Sequence, residues 1–390
     1  MSADSSRRQF LRRAAVAAAM TLPITNLRLR AAQASEPVLR WGVIGTGKRA
    51  IGAHIPAIAS FEQMKILAVC DVMENHLEQG AAKAGGAVER YRDYQRLLAN
   101  RDINAVMIAT PNLLHKEMVL AALDAGKHVM CEKPMAVSYD QCKAMKRAGE
   151  ERPSQVVLYT MQLRYSQRWS ELRKAIEAGK IGRPRYAIFA EHRGDWAGGD
   201  VWKYQEPRTG KAINWRYSHA ATGGTLNEKV CHYFDILNWM ADAVPQRVLC
   251  SGGINVYNDG RDTWDHASTT MDYPGGFRAI HGLCMYAPNR LDLQIVGDEA
   301  SIHVMSDHLL LHARKGKPEP LALPQEVLHG QRRAGQETAV LRMYQDFLDC
   351  VQNNKQPWMD ADKAMASSKI AWLGELSSEK QKAVQWEEIT

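Results

Sequence analysis

A glycine-rich turn between a buried strand and a helix constrains this chain most. The apolar run Leu39–Ile44 has strand length and leads into Gly45-Thr46-Gly47-Lys48-Arg49-Ala50, and a helix is predicted from Ile51. In a G-x-G-x-x-A turn the first glycine permits the tight bend and the second lets the main chain approach a pyrophosphate. The helix N-terminus then faces the phosphates. The turn therefore predicts a dinucleotide site on a βαβ unit.

A second strand predicts which dinucleotide binds. Lys65–Cys70 is apolar and ends at Asp71. An acid at this point accepts hydrogen bonds from both ribose hydroxyls, which favours NAD over NADP. Lys48 and Arg49 keep NADP open, because they would either pair with a 2′-phosphate or lie near the pyrophosphate.

Strands and helices continue to alternate as far as residue 160. Ala105–Ala109 is followed by Thr110-Pro111-Asn112, with His115 opening the next helix, and His128–Cys131 is followed by Glu132-Lys133-Pro134. Continuous apolar strands of this kind are typical of parallel sheets covered on both faces. Residues 36–160 are therefore predicted to form a Rossmann domain with a doubly wound parallel sheet.

Lys133 stands where such sheets bind ligands. It follows the last residue of an apolar strand, and open α/β sheets hold ligands at the carboxyl ends of their strands. Pro134 ends the strand, since proline has no N–H for the ladder. Lys133 is therefore predicted to project into the cleft.

The pattern changes beyond residue 160. A helix is predicted from Gln162 to Gly179, then a series of strands, then helices over Gln336–Asn353 and Ala361–Ser378. Runs of strands after a βαβ domain indicate an α+β arrangement. Residues 161–390 are predicted to form an α+β substrate and oligomerisation domain with a large, open, mostly antiparallel sheet. The last helix is expected to pack back on the first domain.

A second group of polar residues lies within Gly223–Asp235. If this segment is a helix, Glu228 and His232 are four residues apart and share a face, with Asp235 near the next turn. Such a pair is either a structural hydrogen bond or an acid–base pair, and Lys133 beside a cofactor fold favours the second. No third metal ligand can be assigned, so no metal is predicted.

Three motifs resemble the Gfo/Idh/MocA oxidoreductases. They are the Glu-Lys-Pro at residues 132–134, the Thr-Pro-Asn-x-x-His that ends at His115, and the Gly-Gly segment that ends at Asp235. In the last of these, Glu228 stands where the family has aspartate and Val230 where it has glycine.

The resemblance implies functional roles. Thr110, Pro111, Asn112 and His115 would lie over the cofactor, which Glu132 and Lys133 also approach. His232 would act as general acid or base on a carbinol, Lys133 would bind its oxygen, and Glu228 would orient His232. The open sheet would pack against another subunit, giving a homodimer or homotetramer.

The substrate is expected to be a sugar or polyol. Indole rings among arginines suit sugar rings, and the stretch 193–222 is rich in both. Arg164, Tyr165, Trp215 and Asp235 are predicted to contact the substrate. The alternative, that the aromatic residues of 193–222 cover the sheet or a subunit contact, is equally consistent with the sequence.

The N-terminus resembles a twin-arginine export signal. Ser6–Arg12 reads SRRQFLR, Ala14–Ile24 is apolar, and Ala32-Gln33-Ala34 offers a cleavage site. The apolar run is too short for a stable membrane anchor. Residues 1–35 are therefore predicted to be a signal peptide and the protein to be periplasmic or otherwise exported. A disordered basic tail is the alternative.

Most of the positive charge lies in this leader. Residues 1–34 carry six arginines and one aspartate, so the net charge of +7 leaves +7 − 5 = +2 for the rest of the chain. A surplus this small gives no support for nucleic acid or a membrane surface as partner.

Export constrains the reaction, because no free nicotinamide pool is expected outside the cytoplasm. The cofactor is therefore expected to be tightly bound and recycled in place. Two reactions meet this condition: oxidation of one sugar coupled to reduction of another, and NAD-dependent glycoside cleavage by transient oxidation, elimination and re-reduction. A non-catalytic nucleotide-binding protein is the third reading.

Overall fold

The first sheet is a six-stranded parallel sheet. The computed structural model describes residues 38–195, 198, 203–205, 212–305, 308–321, 332–333 and 336–390, so the predicted leader lies outside the described residues. The strands of this sheet are β1 (Leu39–Ile44), β2 (Met64–Cys70), β3 (Glu89–Tyr91), β4 (Ala105–Ile108), β5 (His128–Cys131) and β6 (Val157–Tyr159).

The strand order of this sheet is β3-β2-β1-β4-β5-β6, and every neighbouring pair is parallel. The order reverses between β1 and β4, which opens a ligand crevice at their carboxyl ends. The prediction of a doubly wound parallel sheet is confirmed.

Short helices connect these strands. They are a π-helical turn at Ala50–His54, then α1 (Ile55–Ala59), α2 (Glu74–Lys83), α3 (Tyr94–Leu98), α4 (His115–Asp124) and α5 (Tyr139–Glu150). The helix predicted from Ile51 thus begins as a π turn and becomes α-helical only at Ile55. Ser138 caps α5 by accepting a hydrogen bond from the Gln141 N–H at 3.3 Å.

The second sheet has nine strands. They are β7 (Pro184–His192), β8 (Arg247–Gly253), β9 (His266–Asp272), β10 (Arg278–Cys284), β11 (Arg290–Gly297), β12 (Ala300–Val304), β13 (Leu309–Ala313), β14 (Glu319–Leu321) and β15 (Val384–Gln385). Their order is β14-β13-β12-β11-β7-β10-β9-β8-β15, and only the β7–β10 pair is parallel. A large, mostly antiparallel sheet is therefore confirmed.

One face of the nine-stranded sheet is packed and the other is open. Phe189 of β7 and Leu293 of β11 are fully buried, whereas Ile188 is 40% exposed and Leu249 of β8 is 48% exposed. Alternate residues of a strand point to opposite faces, so the exposed side chains belong to the outer face.

The helix predicted from Gln162 to Gly179 is interrupted. A 3₁₀ turn covers Gln162–Tyr165, Ser166 has extended backbone angles, and α6 spans Gln167–Glu177. Arg164, within this 3₁₀ turn, reaches a buried carboxylate, as described below. Further helices are α7 (His219–Thr222), a π-helical segment at Leu226–Val230, and α8 (Cys231–Ala241).

Two helices near the C-terminus pack against the sheets, α9 on the first and α10 on both. They are α9 (Thr338–Asn353) and α10 (Ala361–Lys380). Tyr344 and Phe347 of α9 lie against Trp41 of β1, with ring centroids 5.5 and 5.2 Å apart. The helix α10 packs on α5 of the first sheet and on β8 and α8 of the second part.

The remaining elements are short. They are strand pairs at Lys203–Gln205 with Ala212–Asn214 and Arg332–Arg333 with Gln336–Glu337, and 3₁₀ turns at Asn112–Leu114, Trp215–Tyr217, Pro274–Gly276 and Trp386–Glu388. Within the described ranges, no helix combines the length and apolar character needed to cross a membrane.

Candidate active site

The glycine turn is closely packed against the sheet at Gly45 and has free space beside it at Gly47. Gly45 has φ +85°, and a Cβ added there would meet the Ala109 carbonyl at 2.7 Å. A Cβ added at Gly47 would meet nothing within 4 Å. The turn therefore leaves room at Gly47 for a close ligand, and these residues fit a pyrophosphate.

Asp71 lies beside this turn. Its carboxylate accepts hydrogen bonds from the Thr46 N–H at 2.8 Å and the Met73 N–H at 2.9 Å. A hydrogen bond to Asp71 raises the pKa of His76. The carboxylate is thus fixed at the carboxyl end of β2, where it can accept hydrogen bonds from a ribose.

Glu132 is a structural anchor rather than an exposed cofactor contact. Its Oε1 is 2.7 Å from both Arg49 Nε and His54 Nε2. Burial alone would raise the pKa of Glu132, but Arg49, His54 and Lys133 hold it well below its ordinary value. Arg49 also donates to Gln162. Of the two basic residues predicted near the phosphates, Arg49 is therefore engaged with Glu132, and Lys48 is the exposed one.

His115 connects the two loops that close the cleft. Its ring nitrogens lie 2.9 Å from the Pro134 carbonyl and 3.1 Å from the Thr110 carbonyl. Burial lowers its pKa. His115 therefore holds the Thr110–Asn112 loop beside Lys133 and is itself fully buried.

Lys133 is paired with Glu228 across the cleft. Its Nζ donates to the Glu228 main-chain carbonyl at 2.6 Å and lies 3.3 Å from Glu228 Oε1. The other carboxylate oxygen accepts from Asn112 Nδ2 at 2.7 Å, and Arg216 lies 2.8 Å from Oε1. Burial lowers the pKa of Arg216 to about 10, although Glu228 opposes this shift. The structure thus brings together Asn112, Lys133 and Glu228, three residues that were each predicted to belong to the site.

The predicted Glu228–His232 pair is wrong. No hydrogen bond joins these two described residues, and His232 Nδ1 is buried without a partner. The reason is the π-helical segment Leu226–Val230, whose wider turn changes the phase before α8 begins. The i, i+4 rule assumes an uninterrupted α-helix, so it does not apply here.

His232 nevertheless lies in the same cleft. Burial lowers its pKa well below the ordinary value, and the positive charges of Lys133 and Lys229 lower it further. The ring is therefore neutral at neutral pH. Because Nδ1 is buried, Nε2 is the nitrogen left to meet a substrate.

Three predicted substrate contacts are corrected. Arg164 forms a buried ion pair with Asp235, with distances of 3.0 and 2.6 Å, and Tyr165 donates to Asp346 at 2.6 Å. Arg164, Tyr165 and Asp235 are at most 5% exposed. Burial raises the pKa of Asp235, while Arg164 opposes the shift. These side chains are held within the protein because a buried charge requires a partner.

Trp215 is connected to the cleft by its contact with Arg216. It is 9% exposed, and the Arg216 guanidinium stacks 4.9 Å from the centre of its ring. Since Arg216 reaches Glu228, Trp215 supports that arginine. Arg216 was not predicted, although it directly follows a residue that was predicted to lie in the site.

A second polar cluster was also missed. Lys229 Nζ lies 2.5 Å from Glu191 Oε1, and Arg193 lies 3.7 Å from the same oxygen. Glu191 occupies the inward face of β7 together with Ala187 and Phe189. A charged residue on an otherwise apolar strand face is the signal that could have identified it. The described residues contain no group of three or more His, Cys, Asp or Glu side chains able to hold a metal.

Comparisons with known families match two parts of the chain. Residues 39–160 match a model described as the oxidoreductase family, NAD-binding Rossmann fold, and residues 169–303 match the GFO/IDH/MocA C-terminal domain.

Individual relatives are similar over part of their length. An uncharacterized oxidoreductase, ORF334 of Rhizobium meliloti, is 30% identical over 268 residues, which cover 68% of this chain and 74% of that protein. The inositol 2-dehydrogenase of Salmonella typhimurium is 26% identical over 204 residues, 52% of this chain and 54% of the enzyme. The match thus spans about half the length of that curated relative.

A solved structure has the same fold. The myo-inositol 2-dehydrogenase of Lactobacillus plantarum superposes with a TM-score of 0.73 at 21% identity, covering 89% of this chain and 99% of that one. Identity this low supports the fold alone.

Proposed function

The chain belongs to the GFO/IDH/MocA oxidoreductase family, and from this we propose that it transfers a hydride between a carbinol of a sugar or polyol and a tightly bound nicotinamide cofactor. The observation that carries the proposal is the Lys133–Glu228 pair, 2.6 Å from Nζ to the main-chain carbonyl, at the carboxyl end of β5. The open turn at Gly47 lies at the same edge of the sheet. A lysine ammonium beside the nucleotide site can stabilise the negative charge that develops on the substrate oxygen as the hydride leaves.

The cofactor would be held by the glycine turn, Asp71 and the loop at Thr110–Asn112. When bound, it supplies the acceptor or donor of the hydride. NAD is the proposed form, because the Asp71 carboxylate is fixed beside the glycine turn, where it would accept hydrogen bonds from a ribose and repel a 2′-phosphate. NADP is the alternative.

The chain's own residues handle the proton and the charge. Lys133 donates to the carbinol oxygen and stabilises the negative charge that develops on it. His232 Nε2 accepts the hydroxyl proton during oxidation and returns it during reduction, a role that its neutral ring permits. Glu228 is a positioning residue, since it holds Lys133 rather than His232.

Location and assembly are part of the proposal. The twin-arginine pattern supports export, and an exported enzyme recycles its cofactor in place. Exposed Ile188 and Leu249 on the open face of the nine-stranded sheet support a homodimer or homotetramer through that face. Light scattering of the purified protein would measure the subunit number.

The test begins with the processed protein. Mass spectrometry of nucleotide released on denaturation should find one NAD(H) per chain, and sugars added in pairs should cycle the absorbance of the bound cofactor at 340 nm. Lys133→Met should abolish this cycling while nucleotide stays bound. Lys65→Met is the matched control, because Lys65 is exposed at the opposite end of β2.

Each outcome has a distinct meaning. Unchanged cycling in Lys133→Met would refute the role of this lysine. Release of an aglycone from a synthetic glycoside without net reduction would favour the NAD-dependent glycosidase. Bound nucleotide with neither activity would favour a non-catalytic nucleotide-binding protein.

A further inference from the structure

The cluster of Glu191, Lys229 and Arg193 lies beside the proposed catalytic residues and has no role in the steps described above. Lys229 follows Glu228 directly, and its positive charge acts on both Lys133 and His232. Arg193 follows the last residue of β7. The cluster therefore lies next to Lys133 and His232.

Strand geometry directs these side chains to one face. Ala187, Phe189 and Glu191 alternate on the buried side of β7, and Arg193 continues the same alternation. Lys229 comes from the π-helical segment and lies 5.6 Å from the centre of the Tyr233 ring. Residues from two separate elements thus place two cationic groups over one carboxylate.

Arg193 is the exposed member of the cluster, Lys229 is largely buried, and the carboxylate is buried. The side chain of Arg193 is 41% exposed and that of Lys229 is 13% exposed, whereas that of Glu191 is 2% exposed. Glu191 Oε2 is buried without a hydrogen-bond partner. A ligand that reaches this cluster therefore meets Arg193 first and then Lys229, with Glu191 behind them.

Positive charge exceeds negative charge around this position. Lys229 and Arg193 share Glu191, and Lys133 with Arg216 shares Glu228. Glu132 adds no free negative charge, because it is matched by Arg49. Burial lowers the pKa of Lys229, and the positive charges of Arg193 and Lys133 lower it further. The carboxylate of Glu191 opposes these shifts. An anion placed between these groups would relieve their mutual repulsion.

We propose that Lys229 and Arg193 bind an anionic substituent of the substrate, and that the substrate is accordingly a sugar acid carrying a carboxylate. Planar guanidinium and ammonium donors together suit the two oxygens of such a group. This inference rests on the proposed function, because it names the substrate class of the same site.

Binding of matched acid and neutral compounds tests the inference. The probes are D-glucuronate against D-glucose, D-galacturonate against D-galactose, and D-gluconate against D-glucitol, titrated by calorimetry into the processed protein with NAD⁺ present. At least one acid should bind about tenfold or more tightly than its neutral partner. The preference should weaken as sodium chloride is raised, since screening acts on exposed charges.

Variants assign the effect to the cluster. Arg193→Gln should remove most of the preference for the acid, Lys229→Gln should do the same, and Arg193→Lys should retain part of it. Arg290→Gln is the matched control. Arg290 lies opposite His192 on the neighbouring strand, with its side chain 71% exposed, and His192 faces the other side of the sheet. This variant should keep the preference.

The outcomes separate this inference from the proposed function. Acid binding that Arg193→Gln abolishes, without hydride transfer to any probe, would support the anion site and refute the oxidoreductase. Turnover of a neutral sugar that Arg193→Gln leaves unchanged, with no acid preferred, would overturn the anion site and leave the oxidoreductase intact. If no acid binds better than its neutral partner, Glu191 and Lys229 form only a structural ion pair.

Discussion

The fully buried His281 should make the protein lose stability in mild acid. It lies on β10 with its ring 5.6 Å from that of Tyr233 and 5.8 Å from that of Phe234, and neither ring nitrogen has a hydrogen-bond partner. Burial lowers its pKa to about 3, and Lys229 adds to the shift. A charged imidazole at this position would have neither solvent nor a partner.

The sign of the pH effect on stability follows from which state of the chain, folded or unfolded, protonates His281 at the higher pH. The ordinary pKa of histidine is about 6.5, so between this value and about 3 the unfolded chain holds a proton that the folded chain does not. Stability is therefore fully present above pH 6.5 and falls as the pH drops. The two pKa values give a loss of about 1.4 kcal/mol at pH 5.5 and about 2.7 kcal/mol at pH 4.5.

The variant His281→Phe keeps the aromatic contacts and removes the titrating group. The quantity to measure is the free energy of unfolding of the variant in urea minus that of the wild type. As the pH is lowered from 7.5, this difference should increase by about 1.4 kcal/mol at pH 5.5 and about 2.7 kcal/mol at pH 4.5. Taking this difference cancels the contributions of the other histidines. Tryptophan fluorescence would follow the unfolding at each pH.

His219 provides a control of opposite sign. A hydrogen bond to Glu375 raises its pKa, so its contribution is present at low pH and is lost as the pH rises through the folded value. His219→Gln should therefore cost more stability at pH 5.5 than at pH 8. If the wild type and His281→Phe lose stability in parallel between pH 7.5 and 4.5, the reasoning about His281 is wrong.

Three further predictions concern the interior and the site. Arg164→Met should destabilise the fold by about 3–5 kcal/mol, because Asp235 would remain buried without its partner, and thermal melts would show whether Asp235→Asn in the same chain restores part of the loss. Gly45→Ala should lower both stability and nucleotide content, since its added Cβ meets a main-chain carbonyl at 2.7 Å. Gly47→Ala should lower only nucleotide content; equal melting temperatures for the two alanine variants would contradict this. Glu228→Gln should lower kcat about 100-fold with bound nucleotide and KM unchanged, because Lys133 keeps its main-chain hydrogen bond but loses the carboxylate charge 3.3 Å away that orients it, and a proportional rise in KM would instead indicate a substrate contact.

The sequence by itself determined the doubly wound parallel character of the first sheet and where β1, β2 and β5 end. Gly45, Asp71 and Lys133 were predicted at the carboxyl ends of β1, β2 and β5, and the structure has them there. This was possible because a strand, its turn and the next helix are local features with fixed periodicity. The antiparallel character of the second sheet followed from the same patterns.

Only the tertiary structure decided which side chains pair. The sequence predicted Glu228 with His232 and Arg164 with a substrate, but Glu228 pairs with Lys133, and Arg164 pairs with Asp235. Such pairs join elements far apart in the chain, and a single π-helical turn changes the face that a helix presents. The sequence therefore fixes where each strand delivers its residues, whereas the packing between the two sheets fixes the partner of each charge.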